Sequence, residues 1–242
     1  MTTNFTTIGF DADDTLWHNE RFFKLTQDRF AELLADYVQD DDLDAHLLEV
    51  ERRNLARYGY GIKGFVLSMI ETAIELTEAR VPSTVIKDIL DIGHDMLEHP
   101  IDLLPHAREA VEAAKKDHKV VLITKGDLFD QERKLAQSGL GELFDGVEIV
   151  SEKHKDVYES IFAKYGAGPE AAMMVGNSLK SDVHPALEAG AWGVHVPFHI
   201  TWALEHAEPP TGHPRFRELP DLGGLPALIS ELSVGAPADQ LS

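Results

Sequence analysis

The sequence predicts an α/β protein: a parallel sheet with helices on both faces, interrupted after its first strand by a segment of helices alone. Three observations lead there. Short apolar runs recur after Pro105, each followed by a stretch of helical periodicity, the alternation that builds βαβ units. One more such run, residues 5–10, stands at the start of the chain and leads into Asp11 and Asp13. Between them, from Asn19 to Leu104, apolar residues return only at helical spacing.

Residues 5–10 form an apolar run bounded by polar turn residues, which reads as a buried parallel strand. Phe23, Phe30, Leu33, Leu34 and Tyr37 then recur with helical spacing. The same spacing returns at Val66, Met69, Ile70, Ala73, Ile74 and Thr77, and again at Ile86, Ile89, Leu90, Gly93 and Leu97. The acidic run 39–44 reads as a solvated turn whose aspartates suit a helix N-terminus. Pro82 and Ser83 restart a helix, and the stretch from Pro100 to Pro105 closes the block. The expected division is therefore 1–18 and 104–242 as the α/β core, with 19–103 as the insert.

Within the core the expected strands are 119–124, 146–150, 172–176 and, last, 192–196. The expected helices are 128–138, stopped by Gly139, then 155–165, stopped by Gly166, and 182–189. Beyond Glu208 the tail is rich in Pro and Gly, with one helix expected at 225–232.

Composition excludes several functions. A formal net charge of -20, from 22 basic and 42 acidic residues, argues against nucleic acid or an anionic membrane as partner. With no cysteine there is neither a disulfide nor a thiolate metal site. The 12 histidines include one pair at i, i+4, His195 and His199, but Pro197 lies between them, so no zinc site is expected. The N-terminus shows no basic and apolar leader, and no apolar run approaches the ~18 residues of a membrane span. A soluble, cytoplasmic monomer or homodimer is expected.

The chemistry gathers at the strand ends. Asp11 and Asp13 follow the first strand, where open α/β sheets bind ligands. The Asp13, Asp14, Thr15 turn lets their side chains converge from a loop. One carboxylate can attack while the other trades protons, and a divalent cation can neutralise both. Thr124, Lys125 and Gly126 end the second strand with a hydroxyl and backbone donors for an anion. Lys153 follows the third, and the loop from Gly176 through Asn177 to Asp182 follows the fourth. Each alone has a plain structural reading, as a capping turn, a turn threonine or a surface lysine. At four successive strand ends together they outweigh it. His18 stands just past the first of them, as a surface histidine or at the mouth of the site.

In these four places the chain resembles the haloacid dehalogenase superfamily, most of whose members are phosphatases. The resemblance implies a Rossmann-like core and makes the helical insert a cap. It implies that Asp11 attacks phosphorus in line, forming an aspartyl-phosphate, while Asp13 protonates the leaving oxygen and then takes a proton from water. It assigns Mg2+ to Asp11, the backbone carbonyl of Asp13 and Asp182, with Asn177 beside the metal. Many members carry Asp where this chain has Asn177, which removes one negative charge. Thr124, Lys125 and Gly126 are expected at the phosphate, and Lys153 as the charge-balancing lysine, with Lys155 as runner-up. The cap loop 57–65 holds three glycines, two tyrosines and two cations. There Arg57 or Lys63 is expected to hold a second anionic group, and Tyr58 or Tyr60 to stack on a ring or sugar. The implied substrate is a small phosphorylated metabolite. One rival is a 2-haloacid dehalogenase, which attacks carbon and needs neither a leaving-group acid nor magnesium. The other is a phosphoacceptor or ligand-binding module without turnover, a class that is short and uncapped.

Overall fold

The computed structural model describes residues 4–38 and 43–233 of the chain. The acidic turn expected at 39–44 lies largely outside the described residues, which resume at Leu43.

Six strands form one parallel sheet: β1 (Thr7–Phe10), β2 (Lys119–Lys125), β3 (Gly146–Val150), β4 (Ala172–Gly176), β5 (Trp192–His195) and β6 (Phe216–Glu218). Their order is β3-β2-β1-β4-β5-β6. The chain winds outward from β1 through β2 to β3, then returns to β4 on the other side of β1. The order therefore reverses between β1 and β4, the place where such sheets open a ligand crevice. Strand β6 corrects the expectation that the strand at 192 is the last. It is too short to show a pattern and lies in a Pro-rich stretch, so only its partner reveals it. Gly193 N donates to Arg215 O (3.1 Å) and Leu219 N to His195 O (2.9 Å), which seats it at the edge.

The described chain divides into two compact units. One comprises Asn19–Ile101 with Gly126–Lys134, and the other Met1–His18, Asp102–Lys125 and Leu135–Ser242. The expected insert, 19–103, lacks the second of these segments, because nothing in a stretch directly after a strand marks it for the helical unit. Its Asn19–Ile101 segment holds α1 (Glu20–Leu34), α2 (Leu43–Tyr58), α3 (Ile62–Leu76) and α4 (Ser83–Glu98). Their apolar stripes meet in a core of Phe30, Leu34, Leu47, Phe65, Met69 and Ile89.

In the sheet unit, α5 (Ala107–Lys115) packs on β2. Helix α6 (Leu128–Ser138) is divided, with its residues through Lys134 in the helical unit and the rest in the sheet unit. Helices α7 (Lys155–Tyr165) and α8 (His184–Glu188) cover one face, where Tyr158, Ile161, Phe162 and Ala186 pack on Val121, Ile123 and Met174. Helix α9 (Leu225–Ser233) lies against α5. Every residue of β4 is buried, which explains its continuous apolar run in place of an alternating one. The helix expected at 182–189 differs in kind. It begins as a π turn at Leu179–Val183, where Ser178 O accepts from both Asp182 N (2.9 Å) and Val183 N (3.2 Å).

Candidate active site

The site grows from the end of β1. Asp11 N donates to Val175 O at 2.9 Å, so the first carboxylate stands where the strand order reverses. Asp14 then adopts φ 59°, a left-handed geometry that aspartate tolerates better than most residues. The chain folds back, with Leu16 N donating to Ala12 O (2.8 Å) and Asp14 N to Trp17 O (2.7 Å). This tight turn returns Thr15 to the carboxylate, and Thr15 Oγ1 donates to Asp11 Oδ2 at 3.0 Å. The half-buried Asp13 accepts from Trp17 Nε1 at 2.7 Å, which aims its carboxylate.

Lys153 is buried and bridges two carboxylates, donating to Asp11 Oδ1 (2.5 Å) and Asp182 Oδ1 (2.7 Å). The other candidate, Lys155, is exposed and pairs with Glu159 (3.5 Å). Burial alone would push the Lys153 ammonium down, but the charges of Asp11 and Asp182 outweigh it and hold it above its usual value. For Asp11, burial and then the Asp182 carboxylate raise its carboxyl above the ordinary range, with Lys153 opposing.

Asp182 reaches the site because the loop behind β4 is closed on itself. Ser178 N donates to Asp182 Oδ2 at 2.9 Å. A Cβ on Gly176 would stand 2.2 Å from that same Oδ2, so only glycine leaves room for the carboxylate. Tyr158, fully buried on α7, donates its hydroxyl to Ser181 O (2.9 Å). Burial, followed by the charges of Asp182 and Asp11, pushes that phenol well above its usual value and keeps it a donor.

The side chain of Asn177 lies against the β1 turn. Its inward amide atom is 3.1 Å from Asp11 Oδ2, 3.2 Å from Asp13 O and 3.1 Å from Thr15 Oγ1. Thr15 has a single hydroxyl proton, already given to Asp11, and it also accepts from Asn177 N at 3.0 Å. The inward atom is therefore Nδ2, donating to all three oxygens. Rotating the amide brings Oδ1 into the same place and makes the cluster one of oxygens alone. Neighbouring ligands of an octahedral magnesium lie about 3 Å apart, given bonds of about 2.1 Å. The donor chemistry here fits that ion, at a nucleophile that shares its one lysine with Asp182. The set mixes side-chain and main-chain atoms, and among the described residues no group of three or more His, Asp or Glu side chains forms a metal cluster.

The remaining expected residues fall in different places. Thr124 is buried at the end of β2, with Oγ1 donating to Lys125 O at 3.3 Å. Lys125, expected at the phosphate, donates to Ser181 Oγ (2.8 Å), Glu205 (2.9 Å) and Glu152 (3.2 Å). Two carboxylates within reach draw its ammonium more strongly than a strand-end position alone could show. Gly126 has φ +136°, closed to other residues, and a Cβ there would meet Gln131 Nε2 at 2.8 Å. In the helical unit, Arg57 lies exposed in the last turn of α2 and Tyr60 is half-buried. Lys63 pairs with Asp127 at 2.9 Å and stands 5.4 Å above the Phe129 ring. Sequence reasoning missed Tyr158 and Trp17, whose apolar surroundings make them look like ordinary core. It also missed Glu205, which stands in an irregular stretch without any motif.

A sequence model of the haloacid dehalogenase-like hydrolases matches residues 5–190, and the chain belongs to that family. Its structure is similar to the crystal structure of a haloacid dehalogenase-like family hydrolase from Xanthomonas campestris. That pair has 45% identity and a TM-score of 0.86, over 96% of this chain and 93% of the other. By sequence the chain is similar to a glyceraldehyde 3-phosphate phosphatase from Pyrococcus furiosus, 24% identical over 76% of this chain and 77% of that protein. An L-2-haloacid dehalogenase from Xanthobacter autotrophicus has the same fold, with 19% identity and a TM-score of 0.64 over 93% and 98% of the two chains. Among the described residues no helix is long and apolar enough to cross a membrane.

Proposed function

We propose that this hydrolase cleaves a small phosphate monoester, with Mg2+ as cofactor and Asp11 as the carrier of the phosphoryl group. The observation that carries the reading is Asp13, a half-buried carboxylate held by Trp17 on the same turn as the nucleophile. A departing alkoxide needs a proton, whereas a departing halide does not.

In this reading an Asp11 oxygen bonds to phosphorus as the bond to the leaving oxygen breaks, and Asp13 gives that oxygen its proton. Asp13 then takes a proton from water, whose oxygen attacks phosphorus and frees Asp11 and inorganic phosphate. Lys153 balances the charge that passes between Asp11 and the phosphoryl group, while Thr124 offers a hydroxyl to its oxygens. Held by Asp11, Asp13 O, Asn177 and Asp182, magnesium would neutralise the nucleophile and the phosphoryl oxygens together. The similarity to a phosphatase of a small sugar phosphate supports the substrate class, and the charge of -20 makes a nucleic-acid partner unfavourable. The rival, halide displacement from carbon, draws on one observation: Lys153, Thr15 and Asn177 satisfy Asp11 without a metal.

The test is a panel of phosphate monoesters and 2-haloacids, assayed with and without magnesium. Magnesium-dependent phosphate release is expected, and halide release with no phosphate release overturns the reading. Asp13→Asn should slow an alkyl phosphate about 10²- to 10⁴-fold. Nitrophenyl phosphate, whose leaving group needs little protonation, should lose far less. Equal losses on both remove Asp13 as the acid.

A further inference from the structure

Between β5 and β6 the chain runs through an irregular stretch, 196–215, with one 3-10 turn at Ala203–Glu205. Glu205, in that turn, bonds to the β4 loop. Its carboxylate accepts from Ser178 Oγ (2.6 Å), Ser181 Oγ (2.5 Å) and Lys125 Nζ (2.9 Å). Its side chain is only 15% exposed, and that of Lys125 11%. Beside it, Lys180 Nζ donates to Leu204 O at 2.5 Å. The turn therefore grips the loop by both serine hydroxyls and by the lysine between them in sequence.

That loop is the one that presents Asn177 and Asp182. It is a π turn, a form with few intrinsic advantages that proteins keep at functional sites when something else stabilises it. Inside the loop, Ser178 Oγ accepts from Ser181 N at 3.0 Å, so the hydroxyl that reaches Glu205 also caps the turn. Tyr158 also holds this turn, donating its hydroxyl to Ser181 O. Glu205 and Tyr158 thus both hold this one short segment, but of the two only Glu205 brings charge.

We infer that Glu205 is a positioning residue for the hydrolytic site: it clamps the π turn so that Asn177 and Asp182 meet Asp11 and Lys153. It touches none of the reacting atoms and acts through Ser178, Ser181 and Lys125. Burial would push its carboxyl up, but Lys125 and the two hydroxyls outweigh this and hold it below the usual range. The clamp is accordingly ionised at neutral pH, which makes its hydrogen bonds charge-assisted. Glu205 also lies past residues 5–190, outside the part of the chain that the family model matches. Related hydrolases with a different segment there would have to fix this turn by other means.

The inference deepens the proposed function and rests on it for its kinetic arm. Its second arm does not depend on turnover. Glu205→Ala, Glu205→Gln and Ser181→Ala are compared with the wild type by amide hydrogen exchange and by kcat and KM on a phosphate monoester. In Glu205→Ala, peptides over 177–183 should exchange on the order of tenfold faster, while those of β1, β2 and the helical unit stay unchanged. The kcat should fall on the order of ten- to a hundredfold with KM changed by less than about threefold. Glu205→Gln keeps an acceptor for the hydroxyls and should recover most of the protection, and Ser181→Ala should show part of the loss. Unchanged exchange at 177–183, or faster exchange spread evenly over the sheet, overturns the clamp. So does unchanged kcat in an active enzyme. A wild type that releases no phosphate from any ester defeats the proposed function instead, and exchange alone then decides the role of Glu205.

Discussion

The turn at 11–17 and the loop at 57–65 are both short connections, and they are built in opposite ways. In the first, Asp11, Thr15 and Trp17 are buried, and hydrogen bonds hold both Asp11 carboxylate oxygens. In the second, Tyr58 is 47% exposed, Gly59 and Gly61 take φ +71° and +108°, and Lys63 meets Asp127 in solvent. Bond-making tolerates little displacement, so the groups that do it are held from several sides. Recognition of a substrate's distant parts gains from a surface that can vary, and loops with little buried contact supply it. Mutations should therefore act on rate in the first region and on selectivity in the second.

The largest effect should come from Asp11→Asn. Initial rates on any accepted substrate should fall on the order of 10⁴-fold or more while circular dichroism stays native, because an amide cannot displace the leaving group. A variant keeping a tenth of the wild-type rate would mean that Asp11 is not the nucleophile. Lys153→Met should follow, since it leaves Asp11 and Asp182 facing each other in a buried place without their cation. A stability loss of about 3–5 kcal/mol by urea unfolding is expected. A loss below about 1 kcal/mol would mean that the pair is in practice solvated.

Asn177→Asp should act in opposite senses on the metal-free site and the loaded one. Without metal, the new carboxylate faces Asp11 Oδ2 and Asp13 O in place of an amide donor, and the melting temperature should drop. With magnesium the added charge should tighten binding on the order of tenfold, by close-range attraction. Calorimetric titration showing equal or weaker binding would place position 177 outside the reach of the ion. The smallest effect belongs to Lys63→Ala. Its exposed ion pair with Asp127 should contribute no more than about 1 kcal/mol to stability. KM should rise for a substrate with a second anionic group and stay constant for a minimal ester. Should both substrates shift alike, the loop does not select.

Much of the fold could be read from the residues because burial writes itself into apolar runs and glycine into their ends. Strands 146–150 and 172–176 and helices 128–138 and 155–165 stand where periodicity puts them. Asp11, Lys153 and Asp182 were legible as a set because each ends or follows a strand, and a parallel sheet brings such ends to one edge. Tyr158, Glu205 and β6 were not, because what defines each is a partner remote in sequence. Tyr158 has the spacing of any core aromatic, and Glu205 has no motif at all. Lys125 shows the same limit: its place at a strand end is local, but its direction depends on Glu152 and Glu205.

The place of β1 in the sheet has a consequence for how the molecule is made. Thr7 pairs with Lys119 on one side and Ala172 on the other, so the strand that is synthesised first gains both neighbours only much later. The helices between Asn19 and Ile101 have a core of their own and consist of local contacts, which form quickly. During synthesis the nascent chain therefore carries an organised helical unit while its nucleophile hangs on an unpaired apolar segment. Residues 7–10 are then exposed to wrong partners for as long as more than a hundred residues take to emerge, about 10 s at typical elongation rates. Chaperone demand, and sensitivity to slow translation upstream of β4, should concentrate in that interval.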